Sequence, residues 1–287
     1  MIGTVGDLVE DIVVHVDTSK SGSVNAATDT PASVLRRRGG SAANMAVSVA
    51  RAGHPARFIG QVGDDAAGLA LLDELRAEGV DVVARRAGTT GTIIVMLDHL
   101  GERTMLTDRG ACTRLDHPDQ SWLDGLSTLH VPLYSLMGDP LTRTTMTLIT
   151  WAHQRGITVS IDASSASIID DFGADALLEL FAELRPTVLL CNAMEAAALG
   201  EEIDPANFGA SLTIVKHGAD PAVVIQAGHA PVEVPALTLE GVRDTTGAGD
   251  AFAAGVLVAL ASGSTPVAAT MLGHSSAARA IAAASAG

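Results

Sequence analysis

Asp250 stands where a turn of three small residues, Gly247, Ala248 and Gly249, gives way to a long apolar segment in "VRDTTGAGDAFAAGVLVALASG" (residues 242–263). Small residues at a helix start leave backbone N–H groups uncovered, and the positive end of the helix dipole adds to them, so the turn suits an anion. A carboxylate in the same turn repels that anion. The two features agree if the anion is a phosphoryl group in transfer. Asp250 then takes the proton of an attacking hydroxyl while the amides stabilise the charge that develops. The plainer alternative is a turn and a helix whose first acid complements the dipole.

Other stretches carry polar groups of the same kind. In "RRRGGSAANMAVSVARAGH" (36–54), Gly39 and Gly40 directly precede a helix with Asn44 in its first turn. Paired glycines let backbone approach a ligand closely, and Asn44 offers a donor and an acceptor; a plain turn with a cap fits the same residues. In "LLCNAMEAAALG" (189–200), Asn192 and Glu195 are three apart and share a helix face. Their oxygens can meet the water shell of a Mg²⁺ carried by ATP, or Asn192 caps the helix and Glu195 closes a capping box. Lys216 and Gly218 in "TIVKHGADPAVVI" (213–225) are either a phosphate contact and a nucleotide-facing turn, or a solvated lysine and its loop. Asp162, ending "TVSID", either faces the phosphates or caps the next segment.

These residues need a frame. Short β-rich runs at 3–5, 56–60, 128–131, 158–162, 188–191, 213–216 and 222–225 alternate with helical stretches at 42–52, 66–78, 141–155 and 175–184. The alternation predicts an α/β fold, a doubly wound and mostly parallel sheet with helices on both faces. Ligands of such sheets sit at the carboxyl ends of the strands, where the polar residues above fall. Segments 12–37 and 92–107 read as strand, turn, strand with no helix between, and Gly101 marks the second hairpin. They predict a small second sheet that projects beside the crevice as a lid, with exposed edges that dimerisation would cover. One domain over residues 1–287 is expected, because α/β folds of this length form a single core.

Composition excludes several classes. The formal net charge of −15 opposes contact with nucleic acid or anionic membrane, so a polyanionic ligand needs a local device to hold it. Cys112 and Cys191 give no disulfide framework and fit the reducing cytoplasm. The nine histidines show no zinc-ligand spacing. The N-terminus reads as a first strand rather than a signal peptide, since Asp7, Glu10 and Asp11 interrupt its apolar run, and no run is long enough to span a membrane. No G-x-G-x-x-G follows the first strand and no Gly-Lys-Ser/Thr occurs anywhere, which argues against a dinucleotide-dependent oxidoreductase and a P-loop enzyme.

"GGSAAN", "IGQVGDDAAG", "GERTML", "LLCNAMEAAAL" and "DTTGAGDAFAAG" occur in the order seen in the ribokinase-like (PfkB) carbohydrate kinases, a family the chain resembles from about residue 3 to residue 285. The resemblance implies ATP- and Mg²⁺-dependent phosphorylation of a hydroxymethyl group on a small sugar or a nucleoside. It implies Asp250 as the base and Gly247, Ala248 and Gly249 as the anion hole. Asn192 and Glu195 order Mg²⁺ and the ATP phosphates, Glu195 through water. Asp11, Gly39, Gly40 and Asn44 hold the substrate. Asp244 matches a residue that helps bind a monovalent cation in relatives, yet those relatives continue past the final helix into a loop that this chain, ending "AIAAASAG", lacks; cation activation is not expected.

The acceptor is harder to name. Aromatic residues are only 3% and read as core, which favours a free monosaccharide over a nucleoside that would stack its base. A sugar phosphate would need a cation such as Arg103 or Arg109, while Arg36, Arg37 and Arg38 read as a solvated lid edge or a dimer contact. Pro221 stands where relatives often have glycine, so the adenine-side loop should differ in shape, and "GGSAAN" is not the lysine-containing version of true ribokinases. A nucleotide-binding protein without catalysis would be expected to have lost Asp250 or the glycines, and it has not.

Overall fold

A computed structural model describes residues 1–16, 24–25, 27–98, 103–200, 203–239, 242 and 245–286. Central strand β1 (Ile2–Val5) is flanked on one side by β4 (Ala56–Val62) and β5 (Asp81–Arg86). On the other side follow β8 (Thr128–Pro132), β9 (Thr158–Asp162), β10 (Val188–Asn192), β11 (Leu212–His217), β12 (Asp220–Gln226) and β13 (Val232–Val234). All neighbours from β5 to β11 are parallel, and β12 and β13 return antiparallel.

Burial follows the pleat. On β10, Val188 and Leu190 enter one core with α1 (Ser41–Arg51), α2 (Ala66–Ala77), α7 (Ala248–Ala261) and α8 (Pro266–Ala286). Leu189 and Cys191 enter the other, with α3 (Leu141–Gln154), α4 (Ala166–Phe172), α5 (Ala174–Leu184) and α6 (Ala193–Leu199). A strand covered on both faces has no polar side to show, which is why these strands read as continuous apolar runs. From β1 the chain moves outward to β4 and later returns on the opposite side as β8, so the strand order reverses beside β1 and opens a crevice there.

The two hairpins form a separate four-stranded sheet in the order β3 (Ala32–Gly39), β2 (Val9–Val16), β6 (Thr90–Leu97) and β7 (Arg103–Gly110). Their strands extend beyond the expected segments 12–37 and 92–107. The first therefore includes Asp11 within β2, and Gly39 ends β3. The hairpin glycine Gly101 lies outside the described residues. Sequence periodicity missed β5 and β13, an edge strand ending in two arginines and a three-residue strand, and also the short α4. Among the described residues no helix is long and apolar enough to cross a membrane.

Where the small sheet joins the large one, Arg109 near the end of β7 grips Asp7 just after β1. Its Nε and Nη2 donate to Asp7 Oδ2 and Oδ1 at 2.7 and 2.8 Å, and its remaining donors reach the carbonyls of Met137 and Tyr134 at 3.0 and 2.7 Å. This corrects the reading of Arg109 as a substrate-phosphate contact, since its charge is already paired. The Arg103 side chain lies outside the described residues. Arg38 also departs from the expected solvated edge: it is largely buried beside Glu74 at 3.7 Å, and its Nε and Nη1 have no hydrogen-bond partner among the described residues. Replacing Arg109 with Ala leaves Asp7 buried and uncompensated and should destabilise the protein by about 3–5 kcal/mol. Urea denaturation of the variant against the parent checks this, and an unchanged midpoint would refute it.

Candidate active site

Two helix N-termini meet at the crevice. Gly247, with φ of 76°, is the N-cap of α7 and makes no side-chain cap, and the first helical amide, that of Ala248, turns back to the Thr245 carbonyl at 3.1 Å. Gly40, with φ of 97°, is the N-cap of α1, whose Ala43 amide donates to the Asp7 carbonyl at 3.3 Å, and any Cβ at Gly40 would strike that carbonyl; only glycine fits. A Cβ on Gly39 would strike the Asp11 carboxylate, which places Asp11 against the paired-glycine turn. Asp11 also faces Arg37 at 3.9 Å, and burial raises its pKa above the ordinary carboxylate value.

Asp250, in the first turn of α7, is ringed by protein. Its Oδ1 accepts a hydrogen bond from Ser41 Oγ at 2.7 Å. Burial pushes its pKa up to about 6, while the Ser41 hydroxyl pulls it down and nearby Asp162 pushes it up again.

Parallel register builds the opposite wall. Leu190 pairs with Asp162 across β10 and β9, and Asn192 with Lys216 across β10 and β11, so the last residues of three strands line up at one end of the sheet. Lys216 Nζ donates to Asp162 Oδ2 at 2.7 Å, and both side chains are largely buried. Burial by itself would lower the Lys216 pKa, but Asp162 and Glu195 outweigh it and the net shift is upward. The ammonium faces the α7 turn, where a Cβ on Gly249 would lie 3.8 Å from it. The expectation of a solvated lysine is thus overturned. Asp162 Oδ1 also accepts from the Ser164 amide at 2.9 Å, which turns the chain toward α4, although the N-cap of that helix is Ser165.

Asn192 and Glu195 form the full capping box. Asn192 Oδ1 accepts from the amides of Met194 and Glu195, and Glu195 accepts from the Asn192 amide at 2.8 Å and from its side-chain nitrogen at 2.6 Å. Glu195 is 3% exposed, and burial, reinforced by Asp162, lifts its pKa to about 7.

Beside these residues opens a cavity of about 570 Å³, lined by Asn192, Lys216, Gly218, Gly249, Phe252 and His274 among others. Gly218, with φ of 64°, turns the chain directly from β11 into β12, and Pro221 lies inside β12. The turn is therefore a tight hairpin. Most of the expected residues converge: Gly247, Ala248, Gly249, Asn192, Lys216 and Gly218 on the cavity side of Asp250, and Asp11, Gly39, Gly40 and Asn44 on the lid side. Asp244 lies outside the described residues. Ser41 and the Lys216–Asp162 pair were missed as partners, although Ser41 was visible in "GGSAAN" as a polar residue at a helix start.

The match to the model of the pfkB family carbohydrate kinases runs over residues 4–287. The chain belongs to that family. An ATP-dependent ribose-1-phosphate kinase from Halopiger xanaduensis is 34% identical over 241 residues, covering 80% of this chain and 76% of the relative. A fructokinase from Klebsiella pneumoniae is 32% identical, covering 81% and 80%. Adenosine kinase from Sinorhizobium meliloti, in its crystal structure, superposes with a TM-score of 0.84 at 25% identity, covering 98% of this chain and 93% of that one. The architecture is thus that of ribokinase-like kinases, and the chain is an ATP-dependent sugar or nucleoside kinase of the pfkB family.

Asp250 gives this kinase a stability signature. Its folded-state pKa lies above the ordinary value of 3.8, so folding disfavours the ionised form. The penalty is fully present above about pH 6 and fades as pH falls through that value. Asp250→Asn keeps an oxygen for Ser41 and carries no charge. Calorimetry should find it more stable than the parent at pH 8, with the gap narrowing as pH falls below about 6 and gone only below 3.8.

Proposed function

We propose that this kinase transfers the γ-phosphoryl group of ATP to a hydroxymethyl group of a small sugar, with Asp250 as the general base. The observation that carries the reading is the Asp250 carboxylate in the first turn of α7, bonded to Ser41 at 2.7 Å, with the Lys216 ammonium facing Gly249 of the same turn. Asp11, Asn44 and the backbone at Gly39 and Gly40 hold the acceptor so that its hydroxyl faces Asp250. Asp250 removes the hydroxyl proton as the oxygen attacks phosphorus, and the turn at Gly247, Ala248 and Gly249 receives the charge on the transferred group, the Ala248 amide having first to leave the Thr245 carbonyl. Lys216 adds a positive charge on the phosphate side, and Gly218 lines the space for the nucleotide.

Mg²⁺ supplies charge neutralisation on the phosphates when bound. The residues present fit an ion that arrives with the nucleotide and keeps its waters: among the described residues no group of three or more His, Cys, Asp or Glu could hold a metal directly. Glu195 and Asp162 nonetheless set two carboxylates against one ammonium, an excess of negative charge that a nearby hydrated cation would relieve.

A sugar is favoured because Phe58, Phe181 and Phe208 are fully buried, and Phe252, which lines the cavity, is itself 4% exposed and packs edge-on with His274. A nucleoside is the second reading, favoured by the likeness to adenosine kinase. Residues 1–287 act as one domain, the small sheet acts as the lid, and the acidic chain with two buried free cysteines works in the cytoplasm. Val34, Leu35, Met105 and Leu106 on the edge strands of the lid are more than half exposed, and a second copy of the chain covers them. Sedimentation should therefore show a dimer that Leu106→Lys weakens; a monomer at micromolar concentration would count against it.

The decisive assay is ADP release with Mg·ATP over D-fructose, D-ribose, ribose 1-phosphate and adenosine, with Asp250→Asn alongside. Turnover on a hit should fall about 10²–10⁴-fold in the variant. Full turnover by Asp250→Asn would remove Asp250 from the base role.

A further inference from the structure

Ser41 is the first residue of α1, directly after the N-cap Gly40, which has no side chain to cap the helix. Here α1 has no side-chain cap, and the Ser41 hydroxyl instead donates to Asp250 Oδ1 across a sequence separation of 209 residues. We propose that Ser41 is a positioning residue for phosphoryl transfer, fixing the rotamer of Asp250 and holding it ionised so that Oδ2 is the oxygen that takes the acceptor proton. This inference rests on the reading of Asp250 as the base.

The geometry leaves little choice. A 2.7 Å bond from a neutral hydroxyl to a carboxylate is charge-assisted and occupies Oδ1. Protonation of Oδ1 would set two hydroxyl hydrogens against each other, so the incoming proton goes to Oδ2 and the Ser41 bond survives the step. As the acceptor oxygen forms its bond to the γ-phosphorus, the bond from that phosphorus to the bridging oxygen of ATP breaks and ADP leaves with the electron pair, while the acceptor O–H bond breaks and the proton rests on Oδ2. Burial works against a charged base in this place, and the Ser41 bond works for it. The charged groups that act on Asp250 are Asp162 on β9, Lys216 on β11 and Arg38 on β3; none of them is altered by a change at Ser41.

The test separates the hydrogen bond from the base. Carbon-13 NMR of protein labelled at the aspartate carboxyl carbons, with Asp250→Asn identifying the Asp250 signal, gives its titration midpoint without any acceptor. A charge-assisted hydrogen bond of this kind corresponds to about tenfold or more in an ionisation equilibrium, so Ser41→Ala should raise the midpoint by about one pH unit, while Ser41→Thr leaves it in place. With the acceptor found among D-fructose, D-ribose, ribose 1-phosphate and adenosine, the acid limb of kcat for Ser41→Ala should move up by the same amount. Its kcat should fall about tenfold below that limb, with KM for ATP unchanged. A merely structural role would lower activity equally at every pH. An unmoved midpoint in Ser41→Ala overturns the proposal whatever the activity. A moved midpoint together with full turnover by Asp250→Asn also overturns it, by removing the base it was to position. If Ser41→Ala does not fold, Ser41→Cys, with its weaker donor, carries the same measurement and the same outcomes.

Discussion

Placing an ionised carboxylate inside protein is unfavourable unless fixed dipoles face it, and the arrangement around Asp250 meets that requirement with two helix ends at once. α1 and α7 must pack side by side with their N-termini level, which makes Gly40 and Gly247 necessary and leaves Ser41 free to reach across. Burial nonetheless holds the Asp250 pKa above the ordinary carboxylate value, with the Ser41 hydroxyl working against that shift.

The charge balance extends beneath that turn. Lys216 and Asp162 neutralise one another at the ends of β11 and β9, and Glu195 adds a second acid whose burial places its pKa near neutrality. A buried ion pair of this sort is poor evidence of added stability, because desolvation offsets much of the attraction. Its worth here is positional: it holds an ammonium against Gly249 without letting it collapse onto Asp250.

Much of this was readable from residue types, and the reasons for the remainder are physical. The alternation of apolar runs with alanine-rich stretches is a local signal, so the parallel sheet, its helices and the two hairpins could be anticipated, as could the glycine turns. Strand β5 was not, because an edge strand ending in Arg85 and Arg86 lacks the apolar continuity of its neighbours. The burial of Lys216 depends on the register of β9 against β10 and β11, which no window of sequence contains. Arg109 looked free because Asp7 is 102 residues away in the chain. Asn192 and Glu195 posed a different difficulty: the capping box foreseen as one alternative is present in full, and a cap of this kind does not by itself exclude a nucleotide-facing role.

The distance in sequence between Ser41 and Asp250 has a consequence for biosynthesis. During synthesis the lid, its hinge at Asp7 and most of the parallel sheet leave the ribosome well before α7 does, yet the central β1 finds its later neighbour β8 only after more than a hundred residues have intervened. Contacts of such long range make folding slow, and a partly made chain exposes α1 with its apolar face uncovered. A nascent chain can thus hold the paired-glycine turn at Gly39 and Gly40 while Asp250 has yet to arrive with one late helix. Docking of α7 and closure of the core are the same event, so a truncated product lacks the carboxylate that Ser41 contacts.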